Sequence, residues 1–166
     1  CLNQDTKYKY EVIIIDDGST DSTKELLSSY QDSCKIIYLQ NSGVEKASNI
    51  GVRESSASHF VRVDADDFLK RNFVEKSLDF LNLNKSDFIY SNYSLVNVDG
   101  HLIEESQLPQ FDEEEIFSRG DFLATGTVFK KSSFLSIGGY NQSTKNCGLE
   151  NYELILRMIL KGKKGV

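Results

Sequence analysis

The sequence has no tryptophan, one proline, one methionine, two histidines and three cysteines in 166 residues. A single proline beside 11 glycines excludes a collagenous or proline-rich disordered chain. No apolar run approaches the ~20 residues of a membrane-spanning helix, and the strongest is only Val12 to Ile15. Basic residues are outnumbered, 19 Lys and Arg against 25 Asp and Glu, so no charged face recommends itself for nucleic acid. Cys1, Cys34 and Cys147 are odd in number and far apart, without a CxxC or Cys/His spacing. Zinc is therefore not indicated, and reduced thiols in a cytosolic chain are expected. The chain opens with neither a signal peptide nor an initiator methionine. It reads as an internal piece of a longer protein.

What is present is one domain's worth of sequence, long enough to bury about two-thirds of its unfolded surface without a disulfide or metal staple. Strand and helix patterns alternate. Glu11 to Ile15 is a β-branched run of the kind buried on both faces, ending at the turn and cap cluster Asp16-Asp17-Gly18-Ser19-Thr20-Asp21. The pattern predicts a helix over 22–30, a strand over 35–39, a helix over 44–55, a strand over 59–63 and a helix over 72–83. In the second half, strands 88–98 and 101–107 flank Asp99-Gly100, a two-residue hairpin signal. An acidic stretch with at most a short helix (108–120), a strand (127–130), a short helix (132–137), the break Gly138-Gly139, a polar loop (140–149) and a closing helix (150–161) follow. The fold class is α/β: a mostly parallel, Rossmann-like sheet flanked by helices, with an antiparallel hairpin in the second half.

In open α/β sheets, ligands bind beyond the carboxyl ends of the strands. Two acidic clusters, Asp16/Asp17 and Asp64/Asp66/Asp67, stand at such ends. Carboxylates gathered at one edge repel each other unless a cation joins them, and a hard divalent ion such as Mn²⁺ or Mg²⁺, shared with a phosphate, suits them. Asp21 and Asp67 serve equally well as helix caps, but one cap per helix would suffice, which leaves Asp17, Asp64 and Asp66 over.

Val12-Ile-Ile-Ile-Asp-Asp-Gly-Ser-Thr-Asp21 resembles the nucleotide-binding signature of the family-2 glycosyltransferases, which have the GT-A fold. Four further segments are similar in the same order. They are Asn41-Ser-Gly-Val-Glu-Lys-Ala-Ser-Asn-Ile-Gly51, Val63-Asp-Ala-Asp-Asp67 (the DxD region), Gly138-Gly-Tyr-Asn141 and Glu150-Asn-Tyr-Glu-Leu-Ile-Leu-Arg157. Cys1-Leu-Asn-Gln4 resembles the end of the family's first helix.

The resemblance implies a metal-dependent transfer of a sugar, with inversion, from a nucleotide-sugar (a UDP-sugar first) to an acceptor hydroxyl on a saccharide or lipid-linked saccharide. It implies Asp17 at the base with Asp16 beside it, Asp64 at the ribose or donor sugar, Asp66 on a Mn²⁺ or Mg²⁺ ion, and Lys46 near the donor. Gly139 and Tyr140 would border the acceptor. Residues 1–67 would form the donor half and 68–166 the acceptor half, with a cytoplasmic location at or near the inner membrane face. Lys161, Lys163 and Lys164 offer a peripheral membrane contact, or simply a charged helix end.

Two departures stand out. The family's general base is the Asp of a Glu-Asp pair, and here that position is Asn151, leaving Glu150 as the nearest carboxylate. The family's first strand, which lies inside the sheet, has no counterpart ahead of Cys1. A nucleotide-sugar-binding module without turnover is therefore the alternative reading. A phosphoryl-receiver domain is a third, disfavoured by the hairpin and the closing helix.

Overall fold

A computed structural model describes residues 1–119, 126–143 and 148–166. Cys147 and part of the polar loop expected over 140–149 lie outside the described residues. Cys1 is exposed and Cys34 buried, and neither forms a disulfide.

The elements run β1 (Ile13–Asp16), α1 (Thr23–Ser28), β2 (Lys35–Tyr38), α2 (Val44–Glu54), β3 (His59–Val61) and α3 (Phe73–Asn84). They continue β4 (Phe88–Ile89), β5 (Tyr93–Val96), β6 (Leu102–Ser106), α4 (Glu113–Arg119), β7 (Val128–Lys130), α5 (Lys131–Ser136) and α6 (Glu150–Leu160). The expected alternation is present, with shorter strands. Residues 1–4 form a turn rather than a helix end. The Gln4 side-chain amide donates to the Lys70 carbonyl, and Thr6 and Lys7 bond the Glu75 carboxylate, so this segment runs along the start of α3.

β1 and β2 pair in parallel, Ile13 opposite Lys35 through Asp16 opposite Tyr38. β3 does not extend that pair. It runs antiparallel to β7, which in turn pairs antiparallel with β4. The single strand expected over 88–98 divides. Phe88 and Ile89 stay in the core sheet, whereas Tyr93 begins a separate ribbon against Ser106. The hydroxyl of Tyr90 donates to the Pro109 carbonyl and Asn92 accepts from Leu108 N, which turns the chain out of the first sheet. The hairpin turn is also wider than two residues. Asn97 N donates to the His101 carbonyl, Gly100 N to the Asn97 carbonyl, and Gly100 has a left-handed φ of 81°. That is the three-residue loop closed by a glycine in the left-handed region.

The core lies in the second half of the chain. Leu154, Ile155, Met158 and Ile159 of α6 are buried against Phe88, Phe129, Phe134 and Ile116. Their spacing gives one apolar stripe, and burying side chains of this size stabilises by about 1.5–3 kcal/mol each. Phe60 of β3 joins through a stacked contact with Phe129 and an edge contact with Phe134.

Three side chains fix the turn at Gly138-Gly139-Tyr140. Asn49 of α2 accepts from Tyr140 N (2.9 Å) and donates to the Tyr140 carbonyl (2.8 Å). Arg157 of α6 donates to the carbonyls of Ile137 (2.8 Å) and Gly139 (2.6 Å), and Glu153 grips the same guanidinium. Gly139 has φ of 74°, and a β-carbon there would collide with Asn49 Oδ1 and Phe134. Only glycine meets both demands.

Burial on both faces was expected of the 11–15 strand, and the structure differs: Ile13, Ile14 and Ile15 are half-buried. A cavity of about 580 Å³ opens between β1 and β3, lined by Ile13, Ile15, Phe60, Val61, Phe73 and Leu78 among others. Among the described residues no strand pairs with β1 on the side away from β2, or with β3 on the side away from β7. An apolar slot between two unpaired strand edges invites association. Residues 1–166 by themselves should melt broadly and bind a hydrophobic dye. Adding an apolar strand ahead of Cys1 should sharpen the transition, and a sharp two-state melt of the 166 residues would show that the described core suffices.

Gly139→Ala should destabilise the fold by about 1–3 kcal/mol from backbone strain, before the collision with Asn49 is counted. Denaturant unfolding measures it. Gly100→Ala is the control, since its β-carbon meets nothing within 4 Å and only the strain remains.

Candidate active site

Asp16 ends β1 and is buried. Its Oδ1 accepts from Ser19 N (2.9 Å), closing the Asp16–Ser19 turn. Asp17 reaches across to the loop before α2. Its Oδ1 accepts from Ser42 N (2.7 Å) and Ser42 Oγ (2.8 Å), and its Oδ2 from Gly43 N (2.7 Å). Gly43 itself has φ of 93°, and a negative charge at the first turn of α2 is favourable. Asp17 thus holds the entrance of α2. Lys46, on the outer face of that helix, is exposed.

The second cluster follows β3. Asp64 is half-exposed, while Asp66 and Asp67 are exposed on a turn closed by Asp67 N donating to the Asp64 carbonyl. Among the described residues no three His, Cys, Asp or Glu side chains gather into a metal cage. A Mg²⁺ or Mn²⁺ ion takes only one or two protein carboxylates, its remaining positions going to phosphate and water. Asp66 offers such a carboxylate.

Arg62, which the sequence reading passed over, joins the clusters. It lies just past β3 with 16% of its side chain exposed. Nε and Nη2 face the two oxygens of Asp64 (3.0 and 3.2 Å), and Nη1 donates to Glu150 Oε1 (2.8 Å) at the start of α6. Its guanidinium carbon lies 5.6 Å from the centre of the Tyr140 ring. Burial alone would lower the Arg62 pKa, but Tyr140, Asp64 and Glu150 outweigh it and hold the pKa above its ordinary value. Burial likewise pushes the Tyr140 phenol up to about 12, with Arg62 opposing, so the hydroxyl stays protonated and donates to Asn151 Oδ1 (3.0 Å).

Of the residues singled out in the sequence, Asp64, Tyr140, Glu150 and Asn151 meet around Arg62. Gly139 lies next to Tyr140 in the clamped turn. Asp16 and Asp17 serve the β1 end and the α2 entrance, and Lys46 and Asp66 face outward. Asn49 and Arg157 stand inside the quoted family segments but were given no role there. Arg62 was missed; its signal was a charge within the apolar run Phe60-Val-Arg-Val63 two residues before Asp64.

Comparisons with known proteins follow the same lines. The family model described as glycosyl transferase family 2 matches residues 1–139. An uncharacterized glycosyltransferase of Haemophilus influenzae is 33% identical over 108 residues, 63% of this chain and 43% of that protein. Chondroitin synthase of Pasteurella multocida is 29% identical over 167 residues, 98% of this chain and 17% of the synthase. The chain spans less than half the length of either. Among solved structures, S. aureus TarS 1-349 in complex with UDP-GlcNAc superposes with a TM-score of 0.70 at 16% identity, covering 97% of this chain and 49% of that one. GalNAc-T7 with UDP, GalNAc and Mn²⁺ gives 0.68 at 14% identity, covering 93% and 35%. The fold is therefore the GT-A fold. No helix among the described residues is long and apolar enough to cross a membrane. With the family model matched from Cys1 to Gly139 over this fold, the chain belongs to glycosyl transferase family 2.

Proposed function

We propose that this domain binds a nucleotide-sugar, a UDP-sugar first, and serves its transfer with inversion to a hydroxyl of a saccharide or lipid-linked saccharide. The observation that carries the reading is the convergence at Arg62 of the loop after β3, the Gly138–Tyr140 turn and the start of α6. Residues 1–67 would form the donor half and 68–166 the acceptor half. UDP and UDP-GlcNAc in the TarS structures support a uridine donor.

In this reading Asp17, through the loop it orders and its own carboxylate, shapes the base pocket, with Asp16 supporting the turn behind it. Asp64 faces the donor sugar or ribose, and Lys46 lies toward the donor's outer side. Asp66 would hold Mn²⁺ or Mg²⁺, which when bound would offset the charge of a diphosphate and stabilise the charge that builds as it leaves. Gly139 and Tyr140 border the acceptor. Transfer forms a bond from the acceptor oxygen to the anomeric carbon and breaks the bond from that carbon to the diphosphate. The nucleoside diphosphate leaves with the electron pair, and the hydroxyl proton must go to a base.

Asn151 cannot take that proton, and its amide oxygen is occupied by the Tyr140 hydroxyl. Glu150 is a carboxylate but is tied to Arg62. These two observations favour a second reading, a module that holds the nucleotide-sugar without turning it over.

Calorimetric titration of the whole protein with UDP should show tighter binding with Mn²⁺ or Mg²⁺ than without, and Asp66→Ala should abolish the difference. Equal affinity in all conditions would remove the metal assignment. For catalysis, a positioned base typically contributes about 10²–10⁴-fold. Asn151→Asp should speed transfer at least about tenfold, a conservative share of that range, with Glu150→Gln mattering little in that background. Loss of transfer in Glu150→Gln alone, with no gain from Asn151→Asp, would make Glu150 the base. Donor binding without transfer or hydrolysis in every variant would establish the binding module.

A further inference from the structure

We infer that Arg62 is the positioning residue of this site: its guanidinium ties the donor-side loop to the acceptor-side helix and keeps the Glu150 carboxylate from repelling the donor's diphosphate. The inference rests on the donor reading above.

The geometry is specific to a guanidinium. Nε and Nη2 meet both oxygens of Asp64 at 3.0 and 3.2 Å, which is the two-pronged contact that a planar fork makes and an ammonium cannot. The remaining prong reaches Glu150 at 2.8 Å. One side chain thus spans the end of β3 and the first residue of α6, elements 88 residues apart in sequence. The bridge is also sheltered. Arg62 and Glu150 expose 16% and 10% of their side chains, and the Tyr140 ring lies against the guanidinium.

Exposed ion pairs contribute little, but removing one partner of a sheltered pair leaves the other charge uncompensated. The guanidinium stays charged at every working pH. Without Arg62, the described groups facing Glu150 would be Asp64, the Tyr140 phenol and the Asn151 amide, none of them a cation. The Glu150 carboxylate would then face the approach of the donor's diphosphate with no described cation beside it. Glu150 therefore does its work in donor binding through Arg62, by taking up part of a charge that would otherwise be offered to the diphosphate.

This gives opposite signs for the two partners. UDP, with Mn²⁺ at fixed concentration, is titrated into the whole protein and into Arg62→Gln, Arg62→Lys, Glu150→Gln and Arg62→Gln/Glu150→Gln, with melting curves alongside. Arg62→Gln should weaken UDP at least about tenfold, a conservative share of the cost of truncating a buried charge pair. Arg62→Lys should fall between it and the parent. Glu150→Gln alone should bind UDP tighter than the parent, because one carboxylate fewer then draws on Arg62. The double variant should recover much of the affinity lost in Arg62→Gln, whatever its melting temperature.

A merely structural Arg62 would leave the double variant no better than Arg62→Gln, and that result overturns the inference. Should Arg62→Gln fail to fold, Glu150→Gln decides alone: unchanged or weaker UDP binding overturns the inference. A parent protein that does not bind UDP, UDP-GlcNAc, dTDP or GDP removes the donor reading and the inference with it. A parent that binds while the variants fail to show opposite signs removes the inference only.

Discussion

Two hydrogen bonds in opposite directions, between the Asn49 amide and the backbone of Tyr140, join the first half of the chain to the second. α2 carries Asn49 at the middle of its buried face, and its entrance is set in turn by Asp17 gripping Ser42 and Gly43. Asp17, α2 and Asn49 thus form one chain of contacts from the loop after β1 to the Gly138–Tyr140 turn. The arrangement demands a glycine at 139, because the amide occupies the space a β-carbon would need. Arg157 holds the other side of the turn. With its backbone held from both sides, Tyr140 presents its ring to Arg62 and its hydroxyl to Asn151.

The acidic residues divide into three kinds. Asp16 and Asp17 spend their oxygens on backbone N–H groups of nearby loops, so their charge is largely committed to shape. Asp64 and Glu150 share one guanidinium, so their charge is only partly offset by it. Asp66 remains exposed to solvent. Acidic residues that look uniform in sequence therefore hold loop staples, a pair sharing one guanidinium, and the exposed carboxylates Asp66 and Asp67. Their spacing along the chain cannot separate these roles, because the partners come from other elements.

The aromatic core and the half-covered first sheet complement each other. Phe60, Phe129, Phe134 and Tyr140 stack through the second half and anchor β3 and the turn. β1, in contrast, borders a cavity, and its three isoleucines stay half-buried. The better-packed part of the domain thus carries Arg62 and α6, while Asp16 and Asp17 follow a less covered strand.

Local pattern was enough for much of this. The β-branched run before Asp16, the helical stripe at 154–159, the Gly138-Gly139 break and the ordered family segments were all legible, because each depends on neighbours within a few residues. Family and fold class followed from them. What only the tertiary structure decided are the pairings between distant parts. β3 turns from the parallel pair to β7, because Phe60 packs on Phe129 and Phe134, residues supplied some 70 positions later. The 88–98 run breaks at Tyr90 because its hydroxyl finds Pro109. Arg62 becomes the hub of the site because Glu150 and Tyr140 arrive from the far end of the chain. A charge in an apolar strand is a cost in isolation, and only the fold supplies the carboxylates that turn it into a bridge.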